Sequence, residues 1–303
     1  MSLSRRALLS TAGTAGAAAV VAAIAPPAAA ARHRGPRTPR SLRQIPLQGA
    51  VNVRDLGGYR TLDGERVRHG LVYRADHLGK LTDADLTTLG GLGLSRAIDF
   101  RIPLEVASDG ADRLPAGVTA VSRPITDNGL FGQLHAVIGS RDPVRQEEAL
   151  GGGRAAAFMA DVYRTFVTDA ANRNAFGQTL RELAARGAGP VLYHCTSGKD
   201  RTGWTSWLAL RLVGVPEHLA TEDYLASNTI RAAHDARVRE GLRQAGLMRN
   251  PELIVPLQEV RREYLDAALS EVRAGYGSLY RYVTAGLGLD PRALVGLRER
   301  LVG

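Results

Sequence analysis

One cysteine, Cys195, stands in a chain of 303 residues, and aromatic residues make up only 5% of it. A lone cysteine excludes an internal disulfide, so stability has to come from a buried core, which about 270 residues can supply. Beyond the first thirty residues no apolar run is long enough to span a bilayer. No basic run is interleaved with aromatics, which leaves no nucleic-acid signature. The formal charge of +9 is spread widely; it suits anionic substrates or an anionic surface, and much of it is solvated arginine.

The N-terminus carries Arg5 and Arg6, an apolar stretch from Ala7 to Ile24, and small residues before Arg32. That order is expected of an export signal over residues 1–31, of the twin-arginine type, cleaved near Ala30 or Ala31. Loss of Arg5 and Arg6 takes the charge to +7 and leaves no membrane span in the mature chain. Residues 32–44, polar, basic and proline-bearing, read as a linker. The folded domain is expected over 45–303.

From Ile45 onward, short apolar runs alternate with helical patterns. A hairpin is expected around Asp63-Gly64, with strands through Leu71–Tyr73, Ala97–Phe100, Gly117–Ile125 and Pro190–His194. Helices are expected after Thr82, over Asp142–Ala185 with a break at Gly151–Gly153, and after the cysteine loop through Trp204, Trp207, Leu208 and Leu212. The remainder from Glu217 is helical, broken at Pro251, Pro256 and Gly286–Asp290. Strands interleaved with helices predict an α/β domain, a mainly parallel sheet flanked by helices with extra helical cover at the C-terminus.

The stretch "HCTSGKDRTG", His194 to Gly203, follows an apolar strand and opens a helix. A cysteine there lies over backbone N–H groups and the positive end of the helix dipole, which favours the ionised sulfur. Thr196, Ser197, Gly198 and Lys199 make a cradle for an anion, and Gly198 allows the turn to close. Arg201 offers a planar fork for two phosphate oxygens. Thr202 can donate its hydroxyl to the sulfur, and Lys199 and Asp200 add one charge of each sign at the rim, the negative one suited to handling a proton. His194, next to Cys195 on a strand, points the other way and has a structural part. Asp99 and Arg101 lie at a strand end, where open α/β sheets bind ligands. Asp127, after "SRPIT", is a further acid. Arg54 and Asp55 read as a mutual ion pair or a substrate contact, and Tyr73 and Arg74 as packing and rim. Sulfur transfer, redox chemistry and inert phosphate binding compete as readings of an electropositive cysteine loop; no second cysteine serves the first two, and cysteine, arginine and acid are all present against the third.

This loop resembles the signature of cysteine-dependent phosphatases, in the form His-Cys-x-x-Gly-Lys-Asp-Arg-Thr-Gly found in bacterial atypical protein tyrosine and lipid phosphatases. "NVRDLGGY" at Asn52–Tyr59, "GLVYRA" at Gly70–Ala75, "AIDFR" with Glu105 beyond it, and "DYLASN" at Asp223–Asn228 extend the resemblance; Phe100 departs from a more usual leucine. It implies a phosphatase-type fold with helices shielding the site, and neither metal nor organic cofactor. It implies catalysis by Cys195 and Arg201 and puts Asp200, the aspartate of its Gly-Lys-Asp-Arg run, first as the acid; Asp99, by its strand end, and Asp127, by its loop, are the other candidates. The implied partners are phosphorylated protein, lipid or small-molecule substrates.

Overall fold

The computed structural model describes residues 43–303. The expected export signal and the linker up to residue 42 lie outside the described residues. Arg43 and Gln44, the last two residues of the expected linker, form an edge strand.

Six strands build one sheet: β1 (Arg43–Gln44), β2 (Arg54–Asp55), β3 (Val72–Ala75), β4 (Arg96–Asp99), β5 (Thr119–Ser122) and β6 (Val191–His194). Their spatial order is β1-β2-β3-β6-β4-β5. The first two pairings are antiparallel and the other three are parallel. The expected hairpin at Asp63-Gly64 closes with an antiparallel bridge between Arg60 and Arg66, outside the sheet.

Between the strands run α1 (Asp83–Gly90), α2 (Pro103–Asp109), α3 (Leu130–Gly139), α4 (Pro143–Leu150), α5 (Arg154–Thr168) and α6 (Ala170–Ala184). Thr82 caps α1 through a capping box with Asp85. The expected helical stretch over Asp142–Ala185 is broken twice, at Gly151–Gly153 and again at Asp169, whose carboxylate caps α6 through the Asn172 N–H at 2.8 Å. After β6 come α7 (Arg201–Leu212), the long α8 (Glu217–Gln244), a 3₁₀ turn at Pro251–Ile254, α9 (Val255–Gln258), α10 (Arg262–Tyr276), α11 (Leu279–Arg281), a π turn at Tyr282–Gly286 and α12 (Pro291–Leu301). Among the described residues no helix is long and apolar enough to cross a membrane.

Strand alternation sorts the site. Ile98, Phe100, Val191, Tyr193 and Cys195 join the large core under α5–α10, whereas Ala97 and Leu192 join the small core with Leu78 and Leu89. Cys195 therefore opens toward the helical side. His194 and its register partner Asp99 lie on the opposite face.

Candidate active site

The loop after β6 is held by its carbonyls. The Thr196 oxygen accepts from the His77 N–H at 3.2 Å. The Ser197 oxygen accepts from Asn52 Nδ2 at 3.0 Å and from an Arg231 amine at 3.3 Å. The Gly198 oxygen accepts from Asn52 Nδ2 at 3.0 Å and from Arg74 at 2.8 Å. With three successive carbonyls engaged on the outside, the N–H groups of Thr196 to Asp200 have no acceptor among the described residues and are left for an anion. Gly198 has φ +63°, and a Cβ there would lie 2.3 Å from the Ala75 carbonyl, so only glycine closes this turn.

Cys195 is 1% exposed. With Thr196, Ser197, Lys199, Asp200 and Arg201 it lines a cavity of about 850 Å³. Phe131, Leu134, Ile138, Met159 and Phe166 add apolar side chains to its lining. The Thr202 hydroxyl is buried and has no partner among the described residues, in keeping with a donor reserved for the sulfur.

Arg201 is clamped by Glu105. Its two terminal amines donate to the carboxylate at 2.7 and 2.5 Å, and one of them also reaches the Phe100 carbonyl at 3.1 Å. Burial alone would lower the guanidinium, but Glu105 overrides it and holds Arg201 above its ordinary value. Burial likewise pushes the Glu105 carboxyl up, and Arg201, with Thr196 and the Ile102 N–H, more than reverses that. Glu105 also accepts from the Thr196 hydroxyl at 2.6 Å, so one carboxylate fixes both the arginine and the residue after the nucleophile.

Asp200 accepts from Lys199 Nζ at 2.8 and 3.0 Å and from the Tyr163 hydroxyl at 3.0 Å. Tyr163 in turn accepts from Tyr224 at 2.8 Å, and Lys199 donates to the Glu259 carbonyl at 3.2 Å. Asp127 lines the same cavity, and its carboxylate caps α3 through the N–H groups of Gly129 and Phe131 at 3.0 and 2.7 Å.

Asp99 is not brought to the cavity. It lies beneath the loop and is taken up by Arg101, accepting from its backbone N–H at 2.8 Å and its guanidinium at 2.8 Å. The reason is strand parity: Asp99 pairs in register with His194, so it shares the face that His194 takes away from Cys195. His194 donates to Asp112 at 2.8 Å. Asp99, Asp112 and His194 bring ligand atoms within 4.8 Å of one another, yet Arg101 already bridges both carboxylates and occupies the charge a metal would supply.

Two expectations about arginines need correcting. Arg54 and Asp55 do not pair with each other, because neighbouring strand residues face opposite ways. Asp55 accepts from the Gly57 and Gly70 N–H groups, while Arg54 reaches Asp223 at 3.1 Å. Arg74 is not a rim residue; it is fully buried under the loop and meets the same Asp223 at 2.5 Å. Burial pushes Asp223 up, and Arg54 with Arg74 more than reverses it.

The loop's remaining supports come from α8, where Asp223, Ser227, Arg231 and Asp235 recur every fourth residue and are all buried. Polar residues at that spacing mark one helix face, a signal present in the sequence. Tyr163 and Glu259 carry no comparable signal.

A buried cysteine over free backbone N–H groups, faced by a carboxylate-clamped arginine at a helix start, defines a cysteine-dependent phosphatase. Residues 45–303 match the tyrosine phosphatase family, and the chain belongs to it. It is 34% identical over 246 residues to a Cupriavidus necator protein named for an inferred tyrosine-protein phosphatase activity, covering 81% of this chain and 84% of that one. It is 31% identical over 284 residues to the triple specificity protein phosphatase PtpB of Mycobacterium tuberculosis, covering 87% of this chain and 100% of that one. The crystal structure of Pseudomonas aeruginosa TpbA aligns over 70% of this chain and 99% of its own, with 20% identity and a TM-score of 0.30. The chain is thus a protein-tyrosine-phosphatase-type phosphoric monoester hydrolase.

Proposed function

We propose that the enzyme hydrolyses phosphotyrosine, and phosphoinositides besides, through a phosphocysteine. The observation carrying this is the burial of Cys195, 1% exposed in a cavity whose lining includes Phe131, Leu134, Ile138, Met159 and Phe166. A buried nucleophile is reached by a long phosphotyrosine better than by a short phosphoserine, and the apolar side chains suit a phenyl ring or a lipid group beside the phosphate. The triple specificity in the name of the mycobacterial relative accords with a site open to more than one ester.

In this reading the Cys195 sulfur attacks phosphorus, a P–S bond forms and the bond to the leaving oxygen breaks. Arg201 and the loop N–H groups hold the three equatorial oxygens as charge redistributes. Asp200 gives the leaving oxygen its proton and then, as carboxylate, takes one from the water that cleaves the P–S bond. Thr202 steadies the departing sulfur.

Cys195→Ser tests the chemistry: turnover should vanish while vanadate and phosphate still bind, because the cradle and Arg201 remain. Activity within about tenfold of wild type would sink it. A panel of phosphotyrosine peptides, phosphoserine peptides and phosphoinositides, compared by kcat/KM, tests the substrate range.

Export is the second part of the proposal. It is supported by Arg5-Arg6 ahead of the apolar Ala7–Ile24 stretch and by the small residues before Arg32. N-terminal sequencing of the enzyme from culture medium should find a start near Arg32; full-length protein confined to the cytoplasm would refute it.

A further inference from the structure

Tyr163 is tied to Asp200 without reaching the cavity itself. It lies on the buried face of α5, where its neighbours Val162 and Phe166 line the cavity and it does not. Its ring packs against Phe166 at 4.9 Å, Tyr264 of α10 at 5.9 Å and Tyr224 of α8 at 6.2 Å between centroids. A ring pinned by three others keeps its hydroxyl in one place. That hydroxyl donates to Asp200 Oδ1 at 3.0 Å and accepts from the Tyr224 hydroxyl at 2.8 Å, which also lies 3.2 Å from the Arg261 carbonyl. Burial first, then Asp200, raises both phenols well above the ordinary tyrosine value. Tyr163 therefore keeps its proton and stays a donor.

The two oxygens of Asp200 are thereby made unequal. Oδ1 accepts from Tyr163 and, at 3.0 Å, from Lys199 Nζ, which fills its two lone pairs. Among the described residues Oδ2 accepts from Lys199 alone, at 2.8 Å, and keeps one lone pair open. Lys199 is steadied in turn by the Glu259 carbonyl at 3.2 Å. Asp200 lines the cavity with its side chain 17% exposed, so the open lone pair on Oδ2 is the carboxylate's place for a proton.

We propose that Tyr163 is a positioning residue for proton transfer: by filling Asp200 Oδ1 it makes Oδ2 the oxygen that carries the proton to the leaving group. This rests on the reading of Asp200 as the acid. As the bond from phosphorus to the leaving oxygen breaks, the proton on Oδ2 passes to that oxygen. When water attacks the phosphocysteine, Oδ2 takes one of its protons and the Cys195 thiolate departs. Tyr163 keeps its own proton throughout, and its bond to Oδ1 stops the carboxyl from turning over between the two steps.

The test is kcat/KM for phenyl phosphate and p-nitrophenyl phosphate on wild type, Tyr163→Phe, Asp200→Asn and the double variant. Phenylalanine keeps the ring and removes only the hydroxyl. Only the poorer leaving group needs the proton, so the ratio of kcat/KM for p-nitrophenyl phosphate to that for phenyl phosphate should rise about tenfold in Tyr163→Phe. In the Asp200→Asn background the same substitution should leave the ratio where Asp200→Asn alone puts it, because the two side chains act as a unit. Vanadate binding close to that of wild type shows that the cradle of each variant is folded. Tyr224→Phe, one hydrogen bond further from the carboxylate, should raise the ratio by about threefold, and it carries the test if Tyr163→Phe does not fold. A ratio unchanged in both tyrosine variants, or a rise that persists undiminished in the Asp200→Asn background, would overturn the positioning role. An Asp200→Asn ratio equal to that of wild type would instead overturn Asp200 as the acid, and the part of Tyr163 with it.

Discussion

Two buried arginine networks grip the Cys195 loop from opposite sides. Beneath it, Arg54 and Arg74 converge on Asp223, and all three are 0% or 1% exposed. On the cavity side Arg201 meets Glu105, yet it keeps 7% exposure and reaches the cavity. The first network faces only the fold: Arg54 has every guanidinium nitrogen engaged, Arg74 donates onward to the Gly198 carbonyl while its Nε is buried without a partner among the described residues, and Tyr59 adds a bond to Asp223 at 3.2 Å. The second uses one edge of the guanidinium on protein and leaves Nε without an acceptor among the described residues. Burial and ion pairing alone do not separate a structural arginine from a catalytic one; what separates them is whether the guanidinium reaches the cavity, as Arg201 does and Arg54 and Arg74 do not.

Asp223→Asn should break this comparison most severely, because it leaves two buried guanidiniums facing a neutral amide. A loss of about 3–5 kcal/mol is expected, with turnover falling only as the folded fraction falls. The sign with pH follows from the depressed folded-state value. Asp223 stabilises the fold above the ordinary carboxylate range near about 4, and this is lost as pH falls through its folded value. Denaturant midpoints measured down the acid limb should therefore drop more steeply for wild type than for the variant. Equal slopes would mean that Asp223 is no hub.

Arg201→Lys should do the reverse. A point charge cannot hold Glu105 with one edge and phosphate with the other, so kcat/KM should fall by about 10²–10³-fold. Its denaturation midpoint should move far less than that of Asp223→Asn. If both variants lost stability and activity in the same proportion, the division between the two networks would be wrong.

The carboxylates on the cavity side sharpen the contrast. Asp200→Asn should slow phenyl phosphate by about 10²-fold while sparing p-nitrophenyl phosphate, whose leaving group departs without a proton. An equal slowing of both esters would give Asp200 only a loop-shaping part. The same pair of measurements on Asp127→Asn would then decide whether the α3 cap doubles as the acid.

Which of these residues could be read from sequence depends on how their contacts are spaced along the chain. The cysteine loop is contiguous, so its residue types, its glycine and the helix after it are legible together. The parallel sheet was legible from strands interleaved with helices. Asp99 shows a rule applied to one residue and not its neighbour in space: the alternation that turns His194 from Cys195 turns Asp99 away too, but only the β4–β6 register reveals that they pair. Glu105 comes to Arg201 across 96 residues, and Arg54 to Asp223 across 169. No local pattern encodes such pairings, although the four-residue recurrence of Asp223, Ser227, Arg231 and Asp235 announces that one face of α8 meets something polar.

Asp109 tests the comparison at its weakest point, as a buried carboxyl with an incomplete partner. It lines the cavity, its Oδ2 has no hydrogen-bond partner among the described residues, and Arg101 approaches only to 3.9 Å. Burial therefore wins, and the carboxyl is pushed up to about 6. The sign is opposite to that of Asp223. Protonated Asp109 contributes its full share to stability below the ordinary carboxylate value, and that share disappears as pH rises through about 6. Asp109→Asn should leave stability almost unchanged at acid pH and raise it by about 1 kcal/mol at neutral pH, where wild type pays for a poorly paired charge. Urea midpoints on either side of that range would show the crossover. A variant less stable than wild type at neutral pH would mean that Arg101 compensates Asp109 as fully as it does Asp99 and Asp112.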